Sequence, residues 1–374
     1  MCMPNYSIKI LDSVDELVSD AEAWNSLWER TGCLSPLVRA ECIAQWIRRF
    51  APDAVFRAVV IESDGTFVAS IPLILRRRAK ILRTAVLPGN EWGRCGSLLC
   101  DASRQDTEAI FSHLVKGLKQ LPIDFLWCEG IRFEGFPWKN FCEYWSASGH
   151  SLRTKFYWHT AVIPLHGNPE TVTAAWNKSE IANIKRRFRK GYTENHEFCI
   201  VSNPDEIAAL LPDCFAIENA GWKGQEGSGG SIIKKDMVEY FSTQAKMLAE
   251  QGLIRLYTLF VTGRLTAFQY GYLANKTVYS MKIGYDPAMR EFSPGIVLRW
   301  LLCQSLLNEP KVEYLDCTGI AGAHQKVWNS ELHTVGQVLF PLSLRGSVAL
   351  AFYKLYSKIK FRTSKNTAPT TDAS

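Results

Sequence analysis

The sequence contains no run approaching the roughly 18–20 consecutive apolar residues of a membrane span. Its nearest stretch, Val335 to Tyr353, is interrupted by Arg345 and several polar residues and reads as strand, loop and helix. The opening residues, Met1-Cys2-Met3-Pro4, lack a basic segment followed by an apolar one, so no secretory signal is expected. The 11 cysteines are scattered from Cys2 to Cys317, with no CxxC pair and no Cys/His cluster at zinc spacing. That pattern points to reduced thiols, a cytoplasmic compartment and no metal. Charge is nearly balanced, 43 basic against 37 acidic residues for a net +6, too mild for a dedicated nucleic-acid binder. The glycines between Gly227 and Gly230 form neither a Walker A loop nor a dinucleotide fingerprint, which argues against nucleoside-triphosphate and NAD chemistry. What remains is 374 residues of ordinary globular composition, 47% hydrophobic and 21% charged, enough for about two domains.

Two stretches of the chain resemble each other. Val55 to Glu62 reads as a strand, Asp64-Gly65 as a hairpin turn and Phe67 to Leu75 as a second strand. Ile254 to Val261, Thr262-Gly263 and Leu265 to Leu273 repeat the layout, with Gly65 and Ala69 matching Gly263 and Ala267, each 198 positions apart. Each copy then passes through a loop and a helical stretch to an apolar strand, Ile123 to Ile131 or Val312 to Ile320. There Leu126, Cys128, Gly130 and Ile131 equal Leu315, Cys317, Gly319 and Ile320, now 189 apart. Two matches in the same order favour two copies of one α/β unit.

Helical spacing precedes each hairpin: Trp24, Leu27, Trp28, Ile43, Trp46, Ile47 and Phe50 in the first copy, Asp213 to Ala220 and Lys235 to Gln251 in the second. The expected organisation is a first unit over 1–150, a connector over 151–192, a second unit over 193–345, and a helix with a disordered tail over 346–374. The connector carries a helix with Ile181, Ile184, Phe188 and Tyr192 on one stripe, ending near Gly191. Opposite that stripe lies the basic run Lys185-Arg186-Arg187 with Arg189-Lys190, and a second run is Arg76-Arg77-Arg78 with Lys80. A solvated face is the default for such runs, and attraction of phosphorylated ligands or an anionic membrane surface the alternative.

The sharpest local feature is the strand Tyr279 to Asp286, a loop to Phe292, and Ser293-Pro294-Gly295 opening an apolar helix. Serine suits an N-cap and proline the first helical position. A helix start of this kind exposes backbone N–H groups and a positive dipole end, which suits a pyrophosphate, although an ordinary capped helix looks the same in sequence. Gly295 would let a ligand approach the backbone closely.

The motifs Glu218-x-x-x-Trp222-Lys223-Gly224, Gly284-Tyr285-Asp286, Ser293-Pro294-Gly295, Asp316-x-x-Gly319 and Lys326-x-Trp328 occur in this order. The pattern resembles the GNAT acyltransferases, and within them the BioF2-like acetyltransferase domain of CelD-type proteins of bacterial polysaccharide biosynthesis. That branch resembles the FemAB aminoacyltransferases, which also carry two GNAT-like units. The usual coenzyme loop, Gln/Arg-x-x-Gly-x-Gly/Ala, is altered: Arg290 stands five positions before Gly295, followed by Ile296-Val297.

The resemblance implies two tandem α/β units, each a mixed, mostly antiparallel sheet flanked by helices. It implies an enzyme moving an acyl group from acetyl-CoA or another acyl-CoA to an amine or hydroxyl of a sugar or polysaccharide precursor. Gly284, Tyr285, Phe292, Ser293, Pro294, Gly295 and Ile296 would then bind the donor. Asp316 is the candidate base: it stands where the first copy has Trp127, and a carboxylate among apolar neighbours can accept a proton near neutrality. A hydrogen-bonded structural Asp is the competing reading. By the resemblance Lys326 would stabilise charge on the reacting carbonyl, against a simple exposed loop lysine. Glu218, Trp222 and Lys223 suggest an acceptor wall beside a Gly224–Gly230 loop, either a flap or a plain connection. Asn90, Glu91 and Trp92, within Pro88 to Arg94, stand in the corresponding loop of the first copy and suit the acceptor, although Trp92 can equally serve packing. Cys317 with His324 is a weak nucleophilic pair, since Cys128 occupies the same repeat position and a small core residue explains both. An aminoacyl-tRNA-dependent transferase and a non-catalytic ligand-binding protein are the alternatives; nucleic acid is a partner only in the former.

Overall fold

The structure, a computed structural model, describes residues 5–32, 34–78, 81–192, 195–225 and 230–353. Lys80, residues 226–229 of the glycine-rich loop and the tail from 354 onward therefore lie outside the described residues. In chain order the elements are β1 (Tyr6–Leu11), α1 (Val14–Ser19), α2 (Ala21–Thr31), α3 (Ala40–Phe50), β2 (Val55–Ser63), β3 (Thr66–Arg78), β4 (Leu82–Val86), β5 (Leu99–Cys100), α4 (Thr107–Gln120), β6 (Phe125–Arg132) and α5 (Trp138–Ala147). They continue with β7 (Arg153–Pro164), α6 (Pro169–Ala174), α7 (Lys178–Gly191), β8 (His196–Val201), α8 (Pro204–Ala220), α9 (Val238–Ala249), β9 (Ile254–Val261), β10 (Arg264–Ala274), β11 (Thr277–Tyr285), α10 (Pro294–Leu306), β12 (Tyr314–Asp316) and β13 (Glu331–Pro341). Residues 344–353 are helical.

The chain divides into two compact units, one of residues 1–31, 39–157 and 336–374, the other of 32–38 and 158–335. It passes into the second unit within β7 and returns within β13.

In the first unit β1, β2, β3 and β4 pair antiparallel in sequence, β4 then pairs parallel with β6, and β13 follows β6. In the second, β8, β9, β10 and β11 pair antiparallel, β11 pairs parallel with β12, and β12 pairs antiparallel with β7. The repeat read from sequence is therefore a repeat of topology. A parallel neighbour needs a crossover, and α4 and α10 supply it in the two units.

The match reaches single residues. Asp64 (φ 50°) and Gly65 (φ 78°) form the first hairpin turn, Thr262 (φ 49°) and Gly263 (φ 76°) the second. Both central positions being left-handed matches the right-handed twist of the flanking strands, and this is where glycine is needed. Just past each turn the hairpin ladder slips at the same repeat position, leaving Val68 of β3 without a partner in β2 and Thr266 of β10 without one in β9. Thr266 returns a side-chain hydrogen bond to the Leu259 carbonyl at 2.8 Å.

Each unit has its own core. In the first, Val59, Ile61, Ile71 and Leu73 of the hairpin pack with Phe111, Leu114 and Leu118 of α4 and with Phe141 and Trp145 of α5. In the second, Tyr257, Leu259 and Val278 pack with Val297, Leu298 and Leu302 of α10, and with Ile184 and Tyr192 at the end of α7. The nine described cysteines outside the termini and masked positions are all free. Cys128 and Cys317 are both buried, as a shared core position requires.

One element is shorter than its sequence suggests. The apolar run Val312 to Ile320 yields a ladder of only Tyr314–Asp316. Asp316 accepts a hydrogen bond from the Thr318 N–H at 2.8 Å, and Thr318 is left-handed at φ 55°. An aspartate that binds the backbone two residues on makes a turn, and the strand ends there.

Candidate active site

At the end of β11, Asp286 accepts from the Ala288 N–H at 3.0 Å and pairs with Arg264 at 2.8 Å, starting the tight helical turn Pro287–Phe292. Pro294 takes the first position of α10, as expected. Ser293 does not cap the helix with its side chain, contrary to the sequence expectation. Its backbone is left-handed (φ 52°, ψ 58°), whereas a capping serine is extended so that its hydroxyl reaches the first-turn amides. The Ser293 hydroxyl instead accepts from Arg187 Nη1 of α7 at 2.6 Å. The Ser293 carbonyl accepts from Ile296 and Val297, both at 3.1 Å. Gly295 is exposed, and a Cβ there would meet one atom within 4 Å, Tyr285 Cδ1 at 3.6 Å.

Helix α7 positions that arginine. Asn177 caps it by accepting from the Glu180 N–H at 3.1 Å. Ile184 and Tyr192 are buried, while Ile181 and Phe188 are half-buried against the same core. Phe188 meets Trp300 of α10 edge-on with centroids 5.3 Å apart. Gly191 faces Phe292 so closely that a Cβ would fall 2.6 Å from its ring. Lys190 stands 6.0 Å over that ring. The basic run is therefore not a uniformly solvated face: Lys185, Arg186, Arg189 and Lys190 are exposed, but Arg187 turns to the start of α10. Cations there reinforce the positive end of the helix dipole.

Strands β11 and β12 part beyond Tyr279 and Asp316, their last paired residues. Two residues on, Met281 of β11 has no partner in β10, a bulge that turns the strand. The opening holds Arg299 of α10, whose Nη1 lies 3.1 Å from Cys317 Sγ and whose Nη2 donates to Ser280 Oγ at 3.1 Å. Thr318 Oγ1 donates to the Ser280 carbonyl at 2.6 Å. Asp316 at this point is only 1% exposed. Lys326 is exposed on the turn Ala323–Trp328, which Trp328 anchors by packing edge-on against Trp176, centroids 5.2 Å apart. The side chain of His324, the proposed partner of Cys317, lies outside the described residues.

Glu218 and Lys223 come together. Glu218 is buried and accepts from Lys223 Nζ at 2.9 Å and from the Ile232 N–H at 3.0 Å. Lys223 Nζ also donates to the Ile283 carbonyl at 3.0 Å, tying the pair to β11. Gly284 is confined, its missing Cβ facing Phe268 at 2.5 Å and Glu218 Cα at 3.3 Å. Trp222 stands 60% exposed. Glu218, Lys223, Gly284 and Tyr285 thus form one neighbourhood, continuing into Phe292 to Ile296.

Asn90, Glu91 and Trp92 belong to the first unit. Asn90 Oδ1 accepts from Trp46 Nε1 at 3.2 Å, the Trp92 N–H at 2.9 Å and the Gly93 N–H at 3.3 Å, so its amide organises the loop. Glu91 is exposed and Trp92 half-buried. The counterpart of Asp316 is Trp127, whose Nε1 donates to Glu129 at 2.8 Å and whose ring lies 3.6 Å beneath Arg78. The two units therefore place different chemistry at one topological position.

Sequence reading missed Arg187 and Arg299 as neighbours of the site. Arg299 carried a signal, being the lone charge in the apolar helix Pro294–Leu306. Arg187 carried none that distinguished it from the other cations of its run.

Residues 178–326 match the family model of the acetyltransferase (GNAT) domain, so the chain carries an acyltransferase domain and is an enzyme of that type. The match opens at α7 and closes at Lys326, enclosing the whole neighbourhood of α10. No curated protein sequence matches the chain. Among solved structures, FemX is similar over 89% of this chain and 97% of its own, with 10% identity and a TM-score of 0.59. A conserved protein of unknown function from Bacteroides thetaiotaomicron is similar over 89% of this chain and 100% of its own, at 13% identity and TM-score 0.54. The C-terminal domain of a protein described as a lysylphosphatidylglycerol synthetase, from Agrobacterium fabrum, covers 90% of this chain and 95% of its own, at 13% identity and TM-score 0.52. At such identities the likeness is one of fold.

Proposed function

We propose that the acetyltransferase domain binds an acyl-CoA with its pyrophosphate at the start of α10 and transfers the acyl group to an amine or hydroxyl. The acceptor we assign is a sugar or polysaccharide precursor, after the CelD-type, BioF2-like proteins that the motifs resemble. The observation that carries the donor assignment is the convergence on one helix start of the Arg187–Ser293 contact, the unobstructed Gly295 and Lys190 over the Phe292 ring. An anion there meets a guanidinium, a hydroxyl and the dipole end together.

In the reaction the acceptor nitrogen or oxygen bonds to the thioester carbonyl carbon, the C–S bond breaks, and coenzyme A leaves as the thiol. Asp316 is assigned to take the acceptor proton and Lys326 to stabilise the carbonyl oxygen. The exposed Trp222 indole offers an apolar face to a sugar ring, and the Glu218–Lys223 pair holds that wall to β11.

Calorimetric titration with acetyl-CoA tests the donor. Micromolar binding lost on addition of free CoA supports the reading. Absence of acyl-CoA binding with retained aminoacyl-tRNA binding moves the protein to FemAB-like chemistry, and absence of both to a non-catalytic role.

A further inference from the structure

The helix at 344–353 is apolar on two sides. Inward, Leu350 is 2% exposed and packs with Phe125 and Leu339 of the first unit. Gly346 allows the approach, because a Cβ there would fall 2.1 Å from the Asp124 carbonyl oxygen. Outward, Leu344, Val348 and Phe352 are 83%, 48% and 69% exposed. Four-residue spacing puts them in one row. Ile81, 63% exposed, joins the same edge, since Arg345 Nη2 donates to its carbonyl at 2.6 Å. A surface helix buries one apolar stripe and turns its polar face to water, and this one leaves a second, bulky apolar row there beside Arg345 and Ser347.

The surroundings of the row are cationic. Arg76 and Arg78 of β3 pair with Thr84 and Leu82 of β4. Those two residues line a cavity of about 110 Å³ with Ala349, Leu350 and Tyr353. The two-residue period of a strand therefore sends both arginines to the helix side of the sheet. Arg76 is exposed and has no carboxylate partner among the described residues. Arg153 stands 4.2 Å over the Tyr353 ring, and Arg345 is on the helix itself. Two carboxylates lie nearby: Asp124, buried and engaged by Arg83 and Ser343, and the exposed Glu129, bonded to Trp127 Nε1 under Arg78, so that the arginines outnumber them.

We propose that this face of the first unit docks on an anionic membrane surface, the apolar row entering the headgroup boundary and the arginines meeting lipid phosphates. Such a helix lies in the interface rather than crossing it. None of the described helices is long and apolar enough to cross a membrane. A second copy fits less well: in a two-fold interface the same arginines would face each other. An anionic bilayer satisfies both the row and the charge.

Co-sedimentation of the full chain with vesicles tests this. Binding to phosphatidylcholine–phosphatidylglycerol vesicles is expected, weakened by salt, with little binding to phosphatidylcholine alone. The combined Leu344→Ser, Val348→Ser and Phe352→Ser variant, unchanged in thermal unfolding because these side chains are exposed, should bind about tenfold or more weakly. Arg76→Glu should weaken binding to anionic vesicles by about tenfold. Equal binding to both vesicle types, no binding to the anionic ones, or unchanged binding by the triple variant overturns the proposal. So does a dimer in light scattering that the triple variant abolishes, which assigns the row to a second copy.

Discussion

Arg187 and Ser293, 106 residues apart, are joined by a 2.6 Å hydrogen bond from guanidinium to hydroxyl. The bond explains why a serine before a helix fails to cap it, and it fixes a permanent cation at the first turn of α10.

Arg187→Ala is therefore expected to weaken acyl-CoA binding about tenfold, or about 1.4 kcal/mol. It should also flatten the salt dependence, measured by calorimetry at two ionic strengths. Arg187→Lys should recover part of the affinity, as a point charge without the planar fork. Unchanged affinity in Arg187→Ala would remove the donor site from this helix end.

Gly295→Trp separates ligand from fold. The Cβ makes ordinary contact with Tyr285 at 3.6 Å and the position is exposed, so the melting temperature should stay within about 2 °C of the parent. Acyl-CoA affinity should disappear, because the indole occupies the approach to the backbone. Binding at parental strength would show that no ligand approaches there.

Asp316→Asn keeps an amide oxygen for the Thr318 N–H and removes the base. Turnover should fall by about a hundredfold or more, with donor affinity and unfolding unchanged. Asp316→Ala should in addition lower stability by about 1–2 kcal/mol, since the left-handed Thr318 turn loses its acceptor. Normal turnover in the Asn variant leaves Asp316 with the turn alone. Lys326→Ala, on an exposed side chain, should reduce turnover without affecting stability, and full activity would end its assignment.

Glu218→Ala leaves the buried Ile232 N–H without its side-chain acceptor and takes the carboxylate from Lys223 Nζ, which keeps the Ile283 carbonyl. A loss of about 2 kcal/mol in urea unfolding is expected. Glu218→Gln, which still accepts from Ile232, should lose less. Equal stability of all three proteins would mean that the pair is dispensable to the fold.

The carboxyl of Asp106 is held at about 2, first by its hydrogen bond with Arg104 and then by the Tyr6 hydroxyl, against the opposing effect of burial. The folded value lies below the ordinary 3.8, so the stabilisation is present above about pH 4 and is lost as pH falls through about 2. Asp106→Asn should accordingly melt lower than the parent at pH 7, and the two should converge as pH falls below about 2. A constant difference across that window would place the stabilisation elsewhere.

Much of the fold was legible because it rests on local rules repeated twice. Turn pairs with glycine at the second position, alternating apolar strands and helical spacing recur in order, and two copies of each signal reinforce one another. Helix α7 was equally plain, since Ile181, Ile184, Phe188 and Tyr192 fall on one stripe. The end of β12 was hidden because the apolar run continues past Asp316, and the turn depends on one carboxylate choosing its own backbone.

The sequence by itself determined the duplicated topology and the helix start at Pro294, because backbone propensity and apolar period act over a few neighbours. Only the tertiary structure decided which cation of the α7 run turns inward, where β11 leaves β12, that Glu218 locks Lys223 to a strand, and that Leu344, Val348 and Phe352 face water. These depend on which surfaces meet across tens of residues to more than a hundred, and the periodicity of one element does not record what packs against it.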